Sequence, residues 1–127
     1  MTQEDKELLF KDLCARLPYG VKVKTNNINI LKLGSHTRVG EYVTDVIEPC
    51  KPYLFPLSSM TEEQYNEFFS YYHNIEMDAV KASGDYLKAA YIRDDAKYSW
   101  LNKNHFDYRG LIEKSLALDA TNLGIYE

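Results

Sequence analysis

The apolar positions change period as the chain proceeds. Leu9, Leu13 and Leu17 recur at a spacing of four, with Phe10 and Cys14 beside them. Such spacing lines one face of an α-helix. Thr2 can cap this helix, and Glu4 and Asp5 suit the positive end of its dipole. Pro18-Tyr19-Gly20 breaks it after Leu17. Val21-Lys22-Val23-Lys24 then alternates apolar and basic, the pattern of a half-buried strand. Thr25-Asn26-Asn27 is a turn signal, and Ile28 to Leu33 reads as the returning strand of a hairpin. Its apolar parity switches between Ile30 and Leu31, which predicts a bulge or a change of burial there. Gly34-Ser35 ends it, and the β-forming Tyr42, Val43, Val46 and Ile47 place a third strand within 41–47.

Pro49, Pro52 and Pro56 follow closely. Proline lacks the ladder donor, so this stretch is expected as an extended connection or an edge, with Tyr53, Leu54, Phe55 and Leu57 against the core. The strongest helix start comes next. Thr61 with Gln64 fits a capping box, as does Ser59 with Glu62. Tyr65, Phe68, Phe69 and Tyr72 form a helical stripe, and burial against the core is its simplest explanation. Ser83-Gly84-Asp85 separates this helix from another over about residues 86–102, with Leu87, Ala90, Tyr91, Tyr98 and Leu101 as inward candidates. Asp107 could cap a short last helix, Tyr108 to Ser115, burying Leu111 and Ile112. One helix, a small antiparallel sheet (a hairpin plus a third strand) and three or so C-terminal helices make an α+β fold. No βαβ alternation suggests parallel strands.

Composition narrows the picture. The 127 residues are expected to form a single domain over 1–127. Hydrophobic residues are 45% and charged residues 27%, ordinary for a globular chain, while the 11 tyrosines are unusual and suit a core margin or a recognition surface. A net charge of -4 argues against a nucleic-acid footprint spread over the whole protein. Cys14 and Cys50 have neither disulfide nor metal spacing and are expected to be reduced and packed. The polar, acidic start lacks a secretory pattern, and no apolar run reaches the length of a membrane span, so a cytoplasmic protein without a membrane partner is expected.

Three stretches carry a family resemblance. Lys11-Asp-Leu-Cys-Ala-Arg-Leu-Pro-Tyr-Gly-Val-Lys-Val23, the segment from Lys51 to Glu63, and the segment from Trp100 to Ala120 are similar to a group of short uncharacterised proteins from gut Bacteroides-type bacteria. Many of those look like cargo of prophages or other mobile elements. The likeness spans most of the chain except residues 25–50 and 70–97. It implies a bacterial, cytoplasmic protein of phage or mobile-element origin, and it transfers no chemistry.

The candidate functional residues are few. His105-Phe106-Asp107-Tyr108-Arg109-Gly110 is the densest group, in which Asp107 could orient His105 for acid–base work. The favoured explanation is that Asp107 caps the last helix while His105 ends the previous one. His73 with Glu76 or Asp78, joined by His36 or His105, lacks metal-ligand spacing, so neither a metal nor a cofactor is expected. Between Ala15 and Gly40 the chain carries Arg16, Lys22, Lys24, Lys32 and Arg38 without an acid. That basic hairpin could touch phosphates, or it could be a solvated face whose lysines discourage edge aggregation. Tyr71 falls off the aromatic stripe and is the better surface candidate. No Gly-rich phosphate loop, nucleophile elbow or metalloprotease motif occurs.

These residues point to a non-enzymatic interaction or accessory protein with a protein partner. Two alternatives stand beside it: a nucleic-acid binder using Lys22, Lys24, Lys32 and Arg38, and a small enzyme around His105 and Asp107. Speculative binding residues are those four with Tyr71, His105, Tyr108 and Arg109. No catalytic residue is assigned, and no pattern fixes an oligomeric state.

Overall fold

The structure is a computed structural model that describes residues 2–34, 37–38 and 50–127. Helix α1 spans Gln3–Arg16. Thr2 caps it through a reciprocal box in which its side chain accepts from Asp5 N–H, while the Asp5 carboxylate accepts from Thr2 N–H. A single 3-10 turn, Leu17–Tyr19, leads to Gly20, whose left-handed φ of 68° suits glycine. Strands β1 (Lys22–Lys24) and β2 (Leu31–Lys32) form the expected antiparallel hairpin, pairing Lys22 with Lys32 and Val23 with Leu31. The change of burial falls where the parity switch placed it: Ile30 is exposed and Leu33 buried. The third strand expected within 41–47 lies outside the described residues.

Strand β3, Lys51–Pro56, departs from expectation. It is the central strand of the sheet rather than an edge. It pairs antiparallel with β1, and in parallel with β4 (Phe106–Asp107) and β5 (Leu118–Asp119). The prolines permit this because Pro52 and Pro56 lie near the two ends of the strand. The bonds to the parallel strands come from between them: Phe55 N–H donates to His105 C=O, and Leu54 C=O accepts from Ala120 N–H. The parallel pairs also correct the expected all-antiparallel sheet. They arise because the chain leaves β3 through two long helices and returns beside it.

Those helices are α2, Glu62–Ser83, and α3, Tyr86–Lys103. Thr61 and Gln64 form the capping box of α2, and Gly84, with φ of 66°, ends it. Asp85 caps α3 by accepting from Lys88 N–H. The two run antiparallel, with cross pairs Phe68–Trp100, Tyr72–Lys97 and Glu76–Arg93. A third C-terminal helix does not form. Residues 108–117 are turns and bends, because the Asp107 carboxylate accepts from Leu111 N–H and Ile112 N–H and the chain then closes onto β3 as β5.

The core lies between α1 and the sheet. Leu9, Leu13, Val21, Val23, Leu33, Cys50, Leu54, Leu111, Leu116 and Ala117 pack together there. Truncating a fully buried leucine such as Leu54 to alanine costs about 2–5 kcal/mol. The α1 stripe is rotated from the expected one: Phe10 and Cys14 are exposed, while Asp12 and Arg16 are buried beside the leucines. Hence only Cys50 is packed as expected, and burial pushes its thiol up to about 12. A second cluster, Trp100, Leu101 and Phe106 with Met60 and Phe68 against it, fastens the base of the helical hairpin to the sheet.

Candidate interaction surface and the basic hollow beside His105

Three arrangements gather the chemistry-bearing residues. The first is buried. Arg16 donates through Nε to Asp12 Oδ2 at 2.9 Å and through Nη2 to Phe106 C=O at 2.6 Å. Arg109 Nη1 lies 3.8 Å from Asp12 Oδ1. Both guanidinium groups lie over the Tyr108 ring, whose hydroxyl donates to Asn102 Oδ1. Burial pushes the Asp12 carboxyl up, although Arg16 and Arg109 pull it the other way. This cluster pins α1 to the chain around β4. It accounts for Tyr108 and Arg109 as packing groups. Sequence reasoning missed Asp12 and Arg16 here; the available signal was that they occupy i+3 and i+7 from Leu9, on the leucine face.

The second arrangement is a hollow of about 880 Å³ beside His105. Its wall includes Lys22 and Lys32 from the hairpin, Lys103 from the end of α3, and Tyr126 and Glu127 from the tail. His105 is 8% exposed, has φ of 63°, and stacks on Tyr126 with ring centroids 3.6 Å apart. The Tyr126 hydroxyl accepts from Lys22 N–H and donates to Tyr53 C=O, which ties the tail across β1 and β3. Burial drives the His105 pKa down to about 4, with help from Arg16 and Lys22, so the ring is neutral near pH 7. The Asp107 carboxylate is occupied by Leu111 and Ile112 N–H, and His105 Nδ1 has no hydrogen-bond partner among the described residues. Asp107 thus caps the following turn, as favoured from the sequence, and the alternative Asp107–His105 pair does not form. His105 instead shares the wall of an open hollow with hairpin lysines, a convergence the sequence did not announce.

The basic hairpin is only partly a free face. Lys22 and Lys32 are register partners, as are Lys24 and Lys51, so strand alternation puts all four on one side. Lys22 is half-buried, and its Nζ donates to Ile125 C=O at 2.6 Å. Lys32 lies against Gly20, where an added Cβ would meet its Cε at 2.7 Å. Lys24 and Arg38 are exposed.

The third arrangement is the helical hairpin. Every residue of α2 is exposed or half-buried. Phe68 and Tyr72 of the aromatic stripe turn toward α3, but Tyr65 and Phe69 remain 53% and 44% exposed, which corrects their expected burial. On α3, Leu87, Tyr91 and Tyr98 share one face by their spacing and were expected inward. They are 83%, 84% and 53% exposed. Leu101 is buried as expected, and Ala89, Ala96 and Trp100 are buried beside it. Tyr71 is also exposed. No set of His, Cys, Asp and Glu suited to a metal occurs among the described residues, and no described helix is long and apolar enough to cross a membrane.

Searches of protein-family models, curated proteins and solved structures return no match to this chain.

Proposed function

We propose that this chain is a non-enzymatic accessory protein that binds another protein through the outer face of α3. One observation carries the reading: Leu87, Tyr91 and Tyr98 have the spacing of a buried stripe yet lie open on a helix whose opposite side is packed. Tyrosine supplies large contact area at low entropic cost, which suits such a face. Lys88 precedes Tyr91 and Asp94-Asp95 follow it, so a partner would offer an apolar centre with charges of both signs at its margin. The phage or mobile-element origin and cytoplasmic setting implied by the family resemblance belong to the same reading.

A photo-crosslinking residue at position 91, used in the source cells, tests it. The expected result is a discrete crosslinked protein that disappears when unlabelled wild-type chain competes and when Leu87→Glu is added. The same adducts in the presence of Leu87→Glu, or none under any growth condition, would count against it. Nucleic-acid binding along the hairpin is less well supported. Lys22 is engaged with Ile125 C=O, and Lys32 borders the hollow rather than an open sheet face.

A further inference from the structure

We infer that the hollow beside His105 is a binding site for a small phosphorylated molecule, held by Lys32 and Lys103 with Lys22 behind them. The charge balance of its wall is the first support. Three lysines meet a single acidic residue, Glu127, in a chain whose net charge is -4. The lysines come from β1, β2 and the end of α3, so the fold rather than a local charge run brings them together. Their type is the second. Lysine binds phosphate as a point charge, and three ammonium groups on one wall suit an anion that carries up to two negative charges.

Size decides between a bare ion and a larger ligand. At about 880 Å³ the hollow is far larger than one phosphate and falls within the range of sites that hold whole metabolites. Uncharged groups surround the lysines: Ser59, Gln64 and Asn122 reach the wall. His105 lines the same wall and is held there by its stack on Tyr126. Lys22 is pinned to Ile125 C=O, and Gly20 leaves room for the Lys32 stem, so two of the cations are placed before any ligand arrives. This site lies apart from the outer face of α3 and does not depend on it.

Isothermal titration of the whole chain with AMP, glucose 6-phosphate and inorganic phosphate at low salt tests the inference. At least one organic phosphate should bind saturably and more tightly than inorganic phosphate. Lys32→Gln and Lys103→Gln should each weaken it roughly tenfold, as expected for one lost charge near a partly desolvated anion. Both lysines are exposed, so folding should survive their loss, and a thermal melt of each variant verifies that. Lys81→Gln, exposed near the end of α2 and away from the hollow, should leave binding unchanged. Three results would each overturn the site: no saturable binding of any of the three probes, binding of inorganic phosphate alone, or affinity unaltered in both lysine variants.

Discussion

Helices α1 and α3 carry the same kind of signal and meet opposite fates. Leu9 and Leu13 recur at helical spacing and are buried against the sheet. Leu87 and Tyr91 recur at the same spacing and are more than four-fifths exposed. Helical periodicity shows that a helix has an apolar face; it does not say that the same chain covers that face. The difference lies in what stands opposite. α1 faces β1 and β3 and is locked there by the Arg16 bridge to Phe106 C=O. α3 meets α2 through Ala89, Arg93, Ala96 and Trp100, and its Leu87 side faces away.

This contrast can be broken first at the lock. Arg16→Ala should destabilise the protein by about 3–5 kcal/mol, since it strips the buried Asp12 of its closest partner. Urea unfolding measures the loss, and a change below about 1 kcal/mol would show that the cluster does not hold α1 in place. A somewhat smaller effect should come from acid. The folded pKa of His105 lies below its ordinary 6.5, at about 4, so between these values the unfolded chain binds the extra proton. Stability should therefore fall as pH drops through that window, by roughly 3 kcal/mol from this group. In His105→Asn the pH-dependence of unfolding between 6.5 and 4 should be visibly flatter; an identical slope would contradict the burial assigned to the ring. Thr61→Ala, which removes the α2 cap, should cost about 1 kcal/mol in the same unfolding measurement.

The legible parts of the fold were local. Thr2 and Thr61 cap helices through bonds to their own near neighbours, Ser83-Gly84-Asp85 divides α2 from α3, and the hairpin of β1 and β2 is written in alternation and a turn. The misread parts depend on distant partners. Pro52 and Pro56 suggested an edge, but Tyr53, Leu54 and Phe55 between them accommodate strands about fifty and about sixty-five residues later in the chain. Asp107 was recognised as a cap, yet the turn it closes continues into β5 rather than a helix. The hollow was half visible. Lys22, Lys32 and His105 were candidates on separate grounds, but only the return of the chain through α2 and α3 brings them to one wall, and nothing in the period of the tail marked Tyr126 as their neighbour.

The smallest expected effect is also the most direct test. The double variant Leu87→Glu, Tyr91→Glu places two charges on the outer face of α3. If that face is uncovered, the urea midpoint should stay within about 0.5 kcal/mol of wild type, because both side chains already sit in water. A loss above about 2 kcal/mol would mean that the chain buries this stripe on itself, and the contrast between the two helices would collapse.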